Sequence, residues 1–168
     1  MYQTGDKVVY GMHGVCVVAD LEEREVDHRR VVYMILEPLG QQGSRYMVPT
    51  HNAAAMAKVK PMLNRDALES LLESEIIRED AWIQDENKRN QCYRELITSG
   101  DRQKLVQMVT SLYRHRRTQN SAGKKIHICD DNFLRDAEKQ LAGEISVVLG
   151  MESAEALQYL RKKLKEAE

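Results

Sequence analysis

The sequence predicts a two-part α+β protein, with a small bent antiparallel β module over residues 1–61 and an all-α bundle of about five helices over residues 62–168. Three observations point there. All three prolines (Pro38, Pro49, Pro61) and five of the nine glycines lie before residue 62. Up to that point apolar residues come in short runs rich in Val and Tyr; beyond it they recur every three or four positions among good helix formers. With 42% hydrophobic and 30% charged residues over 168 positions, the composition is that of a folded globular protein.

In the first part, KVVYGM, VCVVAD, RVVYMIL and RYMVP read as strands separated by MHG, REVDHRR and GQQGS, and AKVKP adds a short fifth strand. A sheet of about 60 residues buries only a thin core, so this module is expected to lean on a neighbour or present an open edge. After Pro61, Asn64 is placed to cap a helix over RDALESLLES. A second helix spans roughly 78–98 and stops at TSGD, where Gly100 supplies the left-handed stop and Asp101 the next cap. The third helix carries Leu105, Val106, Val109, Leu112 and Tyr113 on one face and runs out through RHRRTQNSAGKK. Asp130 or Asp131 caps a fourth, with Phe133, Leu134, Ala137, Leu141, Ile145 and Val148 inward, and Ser153 opens a fifth with Leu157, Leu160 and Leu164.

Several function classes find no support in the residues. No apolar run approaches the roughly 20 residues of a membrane span, and MYQTGDK lacks the regions of a signal peptide, so a cytoplasmic protein without membrane partners is expected. Cys16, Cys92 and Cys129 are odd in number and far apart, as for reduced, buried thiols. His127 and Cys129 would need two more ligands to hold a metal, and no GxSxG, P-loop, GxGxxG or HExxH string occurs. We therefore expect no enzyme, no cofactor and no metal.

Charge is more informative. The chain has a net charge of −1, yet from Arg102 to Cys129 it contains no Asp or Glu while Arg102, Lys104, Arg114, Arg116, Arg117, Lys124 and Lys125 all fall inside. Such a run is an electrostatic footprint for phosphate backbones, or else a solvated surface that complements a helix C-terminus. Trp82 is the single tryptophan. At 100° per residue it lines up with Glu86, Arg89, Tyr93 and Leu96. Two readings stand: a core aromatic, or an apolar wedge near a helix start beside Lys88 and Arg89.

TGDKVVYGMHGVCVV, RYMVPTHNA, SGD, LYRHRR with SAGKK, and AEKQLAGEISVVLG, taken in order, resemble the CarD/CdnL family of bacterial transcription regulators. The resemblance implies a Tudor-like RNA-polymerase-interaction domain, shared with transcription-repair coupling factor, followed by a helical DNA-binding domain. It further implies docking of the sheet by its edge on the polymerase β subunit and contact with the backbone and minor groove of double-stranded promoter DNA. A tryptophan there holds the melted bubble open, and the regulator acts on polymerase as a monomer. On this view the opening hairpin supplies the edge strand of an intermolecular sheet.

Carried over by position, Arg24 matches a family arginine at the polymerase interface, and Met47, followed by Val48 and Pro49, falls where some members place another. Arg45 shares the strand face of Met47. Gly11 stands where members usually have proline. The family tryptophan position corresponds to Glu86, four residues after Trp82. Lys88 and Arg89 keep the basic character that follows it, and Lys125 matches a family lysine after SAG. Trp82, Lys88, Arg89, Arg114, Arg116, Arg117, Lys124 and Lys125 are thus the expected DNA contacts. The competing expectation is an interaction module that binds polymerase or a repair factor without touching DNA.

Overall fold

The computed structural model describes residues 1–166. Between Met62 and Leu63 the chain divides into two compact units. The first contains β1 (Lys7–Tyr10), a 3₁₀ turn (Gly11–His13), β2 (Val15–Val26), β3 (Arg29–Pro38), β4 (Tyr46–Pro49), a one-turn helix α1 (Ala53–Met56) and β5 (Val59–Pro61). They form one antiparallel sheet in the order β4-β3-β2-β1-β5. Alternation along the strands sends Val8, Cys16, Val18, Met34, Leu36, Val48 and Val59 to one face, where they make the core with Tyr2, Tyr10 and Tyr46.

Two features bend this sheet. Between Val18 and Asp20 the β2–β3 register shifts by one residue, the signature of a bulge. Beyond it the two strands continue as a ribbon to a two-residue turn at Asp27 and His28, both with positive φ (50° and 61°), as tight hairpins that match strand twist require. The opening hairpin is placed differently from expectation. β1 is hydrogen-bonded to β2 on one side and to β5 on the other, so residues 5–18 lie inside the sheet and the edges are β4 and β5.

The second unit holds α2 (Arg65–Leu72), a 3₁₀ turn (Glu75–Arg78), α3 (Glu86–Ser99), α4 (Arg102–Ser121), α5 (Ile128–Leu149) and α6 (Ser153–Glu166). Asn64 caps α2 by accepting the Ala67 N–H at 2.8 Å, and Asp101 caps α4 through Lys104 N–H at 3.2 Å. Gly100 ends α3 in the left-handed region (φ 66°). The core gathers Leu68, Leu72, Tyr93, Leu105, Val109, Leu112, Leu134, Ala137, Ile145, Leu160 and Leu164, with Phe133, Val148 and Leu157 partly buried against it.

Two boundaries differ from the sequence reading. The second helix begins at Glu86 and not near 78, because Asp85 accepts the Lys88 N–H at 2.9 Å and closes the helix there. Residues 79–85 form an irregular segment, and Trp82 lies in it. The fourth helix is capped by His127, whose Nδ1 accepts the Cys129 N–H at 3.3 Å, and not by Asp130 or Asp131. Asp130 is engaged elsewhere, as shown below.

Of the three thiols, Cys16 is buried, whereas Cys92 and Cys129 are only half-buried; all three are free. Burial pushes the Cys16 thiol up from 9.0 to about 11. The folded state therefore holds this proton after the unfolded chain has lost it. The stabilisation is full below pH 9 and falls as pH rises from 9 to about 11. We expect a native-state thiol reagent to modify Cys92 and Cys129 and to reach Cys16 only on unfolding. Over the same pH window the urea midpoint should fall more steeply for the wild type than for Cys16→Ala. Fast native labelling of all three thiols would contradict the burial.

Candidate functional site

Each unit carries one surface of interest. In the first it is the β4 edge. The Thr50 N–H donates to Val32 O at 3.0 Å, so the antiparallel alternation aims the main chain of Val48 and Tyr46 at β3 and that of Met47 and Arg45 away from it. Pro49 has no N–H, and its carbonyl accepts from Asn52 at 3.1 Å. The open stretch is thus short and centred on Met47, a residue that is 41% exposed. Arg45 pairs with Glu37 at 2.8 Å on the same sheet face, and Arg24 pairs with Glu22 at 2.7 Å. Val48 points the opposite way and is fully buried, so its side chain belongs to the core.

In the second unit, residues 77–85 are strapped to α3 and α4 through their main chain. Arg114 donates to Ile77 O at 2.6 Å and to Glu79 O at 3.4 Å; the Ala81 N–H donates to Ser111 Oγ at 3.0 Å. Arg89 donates to Ile83 O at 2.9 Å and Gln84 O at 3.4 Å. The same guanidinium makes a two-pronged pair with Asp130, Nε to Oδ1 at 2.9 Å and Nη2 to Oδ2 at 3.1 Å. Trp82 is fastened within this frame. Its ring stacks on His115 at 3.7 Å and 16°, lies 4.4 Å from the Arg89 guanidinium carbon, and its indole N–H donates to Gln84 Oε1 at 3.2 Å. Burial pushes the His115 imidazole below its ordinary value; Asp130 opposes the shift and Arg89 reinforces it.

The expected DNA contacts therefore separate into groups. Arg89 is 5% exposed and ion-paired, so it is corrected from a DNA contact to a structural clamp. Arg114 is partly buried and donates to two carbonyls of the strapped segment. Trp82 is neither a helix-borne wedge nor a fully buried core residue: it is half-buried in a strapped loop. Lys88, Lys124 and Lys125 are exposed, Lys88 in the first turn of α3 and the other two just before α5. His127 comes within 3.5 Å of Glu86, which joins those two helix starts. Arg116 lies over the Tyr113 ring at 5.3 Å, on a different side of α4 from His115.

The acid-free run in the sequence is also not acid-free in space. Arg102 forks onto Glu144 of α5 at 2.8 Å by two nitrogens. Exposed Glu79, Asp80, Asp85 and Glu86 surround the Trp82 segment in the chain. Sequence reasoning missed Ser111, His115 and Asp130 because their partners lie 30 or more residues away. Among the described residues, no group of three or more His, Cys, Asp or Glu is placed to hold a metal ion, and no helix is long and apolar enough to cross a membrane.

An edge-bearing β unit joined to a helical unit with outward lysines defines a two-part interaction protein. Comparison with known proteins agrees with both parts in order: residues 2–60 match the CarD-like/TRCF RID domain, and residues 67–161 match the CarD C-terminal domain. The chain belongs to the CarD family, and is a transcription-related protein that interacts with RNA polymerase. It is 22% identical over 151 residues to a Bacillus subtilis (strain 168) protein described as "Putative transcription factor YdeB", covering 90% of this chain and 94% of that one.

Arg89→Ala leaves Asp130 buried without its partner and should cost about 3–5 kcal/mol. Trp82→Ala should cost less than the about 3–5 kcal/mol of a fully buried aromatic, because its ring is only half-buried. Urea unfolding of the two variants checks the order. A larger loss for Trp82→Ala than for Arg89→Ala would contradict it.

Proposed function

We propose that the chain regulates transcription by adding β4 to a sheet of the polymerase β subunit and by touching promoter DNA with the exposed lysines of its helical unit. Acting as a monomer, it thereby changes the lifetime of the open promoter complex. The observation that carries the polymerase half is the open β4 edge in the unit that matches the RID domain, with Met47 offering one outward donor and one outward acceptor. Strand addition draws affinity from such main-chain groups and specificity from alternate side chains, here Arg45 and Met47, with Pro49 limiting the register and Arg24 farther along the same face.

The DNA half rests on Lys88, Lys124 and Lys125, which bring three exposed cations to the end of the helical unit where α3 and α5 begin. Contacts of this kind go to phosphates and tolerate any sequence. Trp82 enters as an anchored ring beside them, its accessible part suited to a minor-groove contact. A second reading, binding to polymerase or a repair factor without DNA, is favoured by one observation. The exposed acids Glu79, Asp80, Asp85 and Glu86 flank Trp82 and repel phosphates.

Met47→Pro removes the outward N–H and leaves the β3–β4 bonds in place, so it should weaken polymerase binding at least about tenfold at an unchanged melting temperature. A pull-down with polymerase β checks this, and wild-type affinity would remove β4 as the docking strand. For DNA, changing Lys88, Lys124 or Lys125 to Gln should lower the slope of log affinity against log salt by about 0.9 each. Slopes unchanged in all three would favour the second reading.

A further inference from the structure

Near its end the sequence carries a second basic run, RKKLK at Arg161–Lys165, followed by Glu166, Ala167 and Glu168, that the sites above do not use. In the fold it meets the part of α4 that faces away from Trp82. The Tyr113 hydroxyl donates to Glu138 Oε2 at 2.8 Å, and Arg161 of α6 donates to the same carboxylate at 2.6 Å and 3.3 Å. Arg116 lies over the Tyr113 ring, and Arg117, four residues after Tyr113, shares its helix face. Tyr113 of α4 and Arg161 of α6 thus share one carboxylate of α5, which sets the helix turns that carry the two sequence-distant cation sets on either side of it. Glu138 itself is 3% exposed and already engaged, so it adds little negative field outside.

Gln158, Arg161, Lys162 and Lys165 line a shallow groove of about 520 Å³ beside this contact. Lys162 and Lys165 are exposed, and Lys163 points elsewhere, toward Glu73 at 3.7 Å. Among the described residues no aromatic or branched aliphatic side chain lines the groove, and such side chains are what anchor pockets for peptide recognition use. The polar groups that the groove does present are one amide and three cations set along alkyl stems, a set that suits a phosphate backbone.

We propose that Arg116 and Arg117 of α4 with Lys162 and Lys165 of α6 form a second phosphate-backbone site for duplex DNA, separate from the one at Lys88, Lys124 and Lys125. The proposal rests on the DNA half of the function above and deepens it: the helical unit meets the duplex through two sets of cations. Arg161 is the positioning residue, because its pair with Glu138 sets α6 against Tyr113.

The test uses the full chain and a short duplex of arbitrary sequence, with affinity followed by anisotropy from low to physiological salt. Lys162→Gln with Lys165→Gln changes two exposed side chains, so melting should be unchanged while the salt slope falls by about 1.8. The pair Lys124→Gln with Lys125→Gln should give a separate fall, additive in the fourfold variant. A normal slope in the Lys162/Lys165 variant, beside a reduced one in the Lys124/Lys125 variant, overturns this site and leaves the DNA reading intact. Wild-type chain without salt-dependent duplex binding overturns both. If polyglutamate binding depends on Lys162 and Lys165 while duplex binding does not, the surface takes acidic protein and the proposal fails.

Discussion

Three buried carboxylates on α5 organise the helical unit, and each is held by an arginine from a different helix. Asp130 takes Arg89 of α3, Glu138 takes Arg161 of α6, and Glu144 takes Arg102 of α4. Burying an unpaired carboxylate is costly enough that the helices are confined to arrangements in which all three pairs close. The apolar core supplies the driving force, but many packings of Leu and Val are nearly equivalent. Charge pairing selects among them. Glu144 also accepts the Leu63 N–H at 3.0 Å, which ties the start of the unit to the same helix.

The Arg89–Asp130 pair extends this order to the surface. With two nitrogens on Asp130 and one shared between Ile83 and Gln84 carbonyls, a single guanidinium links α5, α3 and the segment that carries Trp82. Because the acceptors in that segment are main-chain oxygens, its path is held without regard to its own side chains. From α4, Arg114 donates to its main-chain oxygens, Ser111 accepts its Ala81 N–H, and His115 stacks on the Trp82 ring. Such a strap keeps the aromatic ring at a defined place, so that little ordering entropy is left to lose there. In the β unit the corresponding constraint is topological: with β3, β2 and β1 interior, the edges are β4 and β5, and Pro49 keeps the β4 edge short.

Much of the architecture is legible in local signals. The change of hydrophobic period after Pro61, Asn64, Asp101 and Gly100 each act within four residues of themselves, and each has its expected place. Failures come where the decisive partner is distant. Arg89 looks like a free cation until Asp130, 41 residues on, is brought against it; Arg102 likewise meets Glu144 across 42 residues. Trp82 matches a helical stripe by periodicity, yet Asp85 starts the helix after it. The opening hairpin reads as an edge because nothing in residues 5–18 announces that Val59–Pro61 returns to cover β1. Lys88, Lys124 and Lys125 stand exposed, as charge alone leads one to expect of a surface cation.

The central claim is that the fork of Arg89, beyond its charge, holds the Trp82 segment. Arg89→Lys isolates that property, since an ammonium keeps the positive charge beside Asp130 but cannot bond the carboxylate and both carbonyls in one plane. Trp82 is the single tryptophan, so iodide quenching of intrinsic fluorescence reports this segment without interference. Our account predicts stronger quenching and a red-shifted emission in Arg89→Lys, with the far-ultraviolet circular dichroism of the helices unchanged. Quenching and emission identical to wild type would show that charge alone suffices and that the fork does not set the loop.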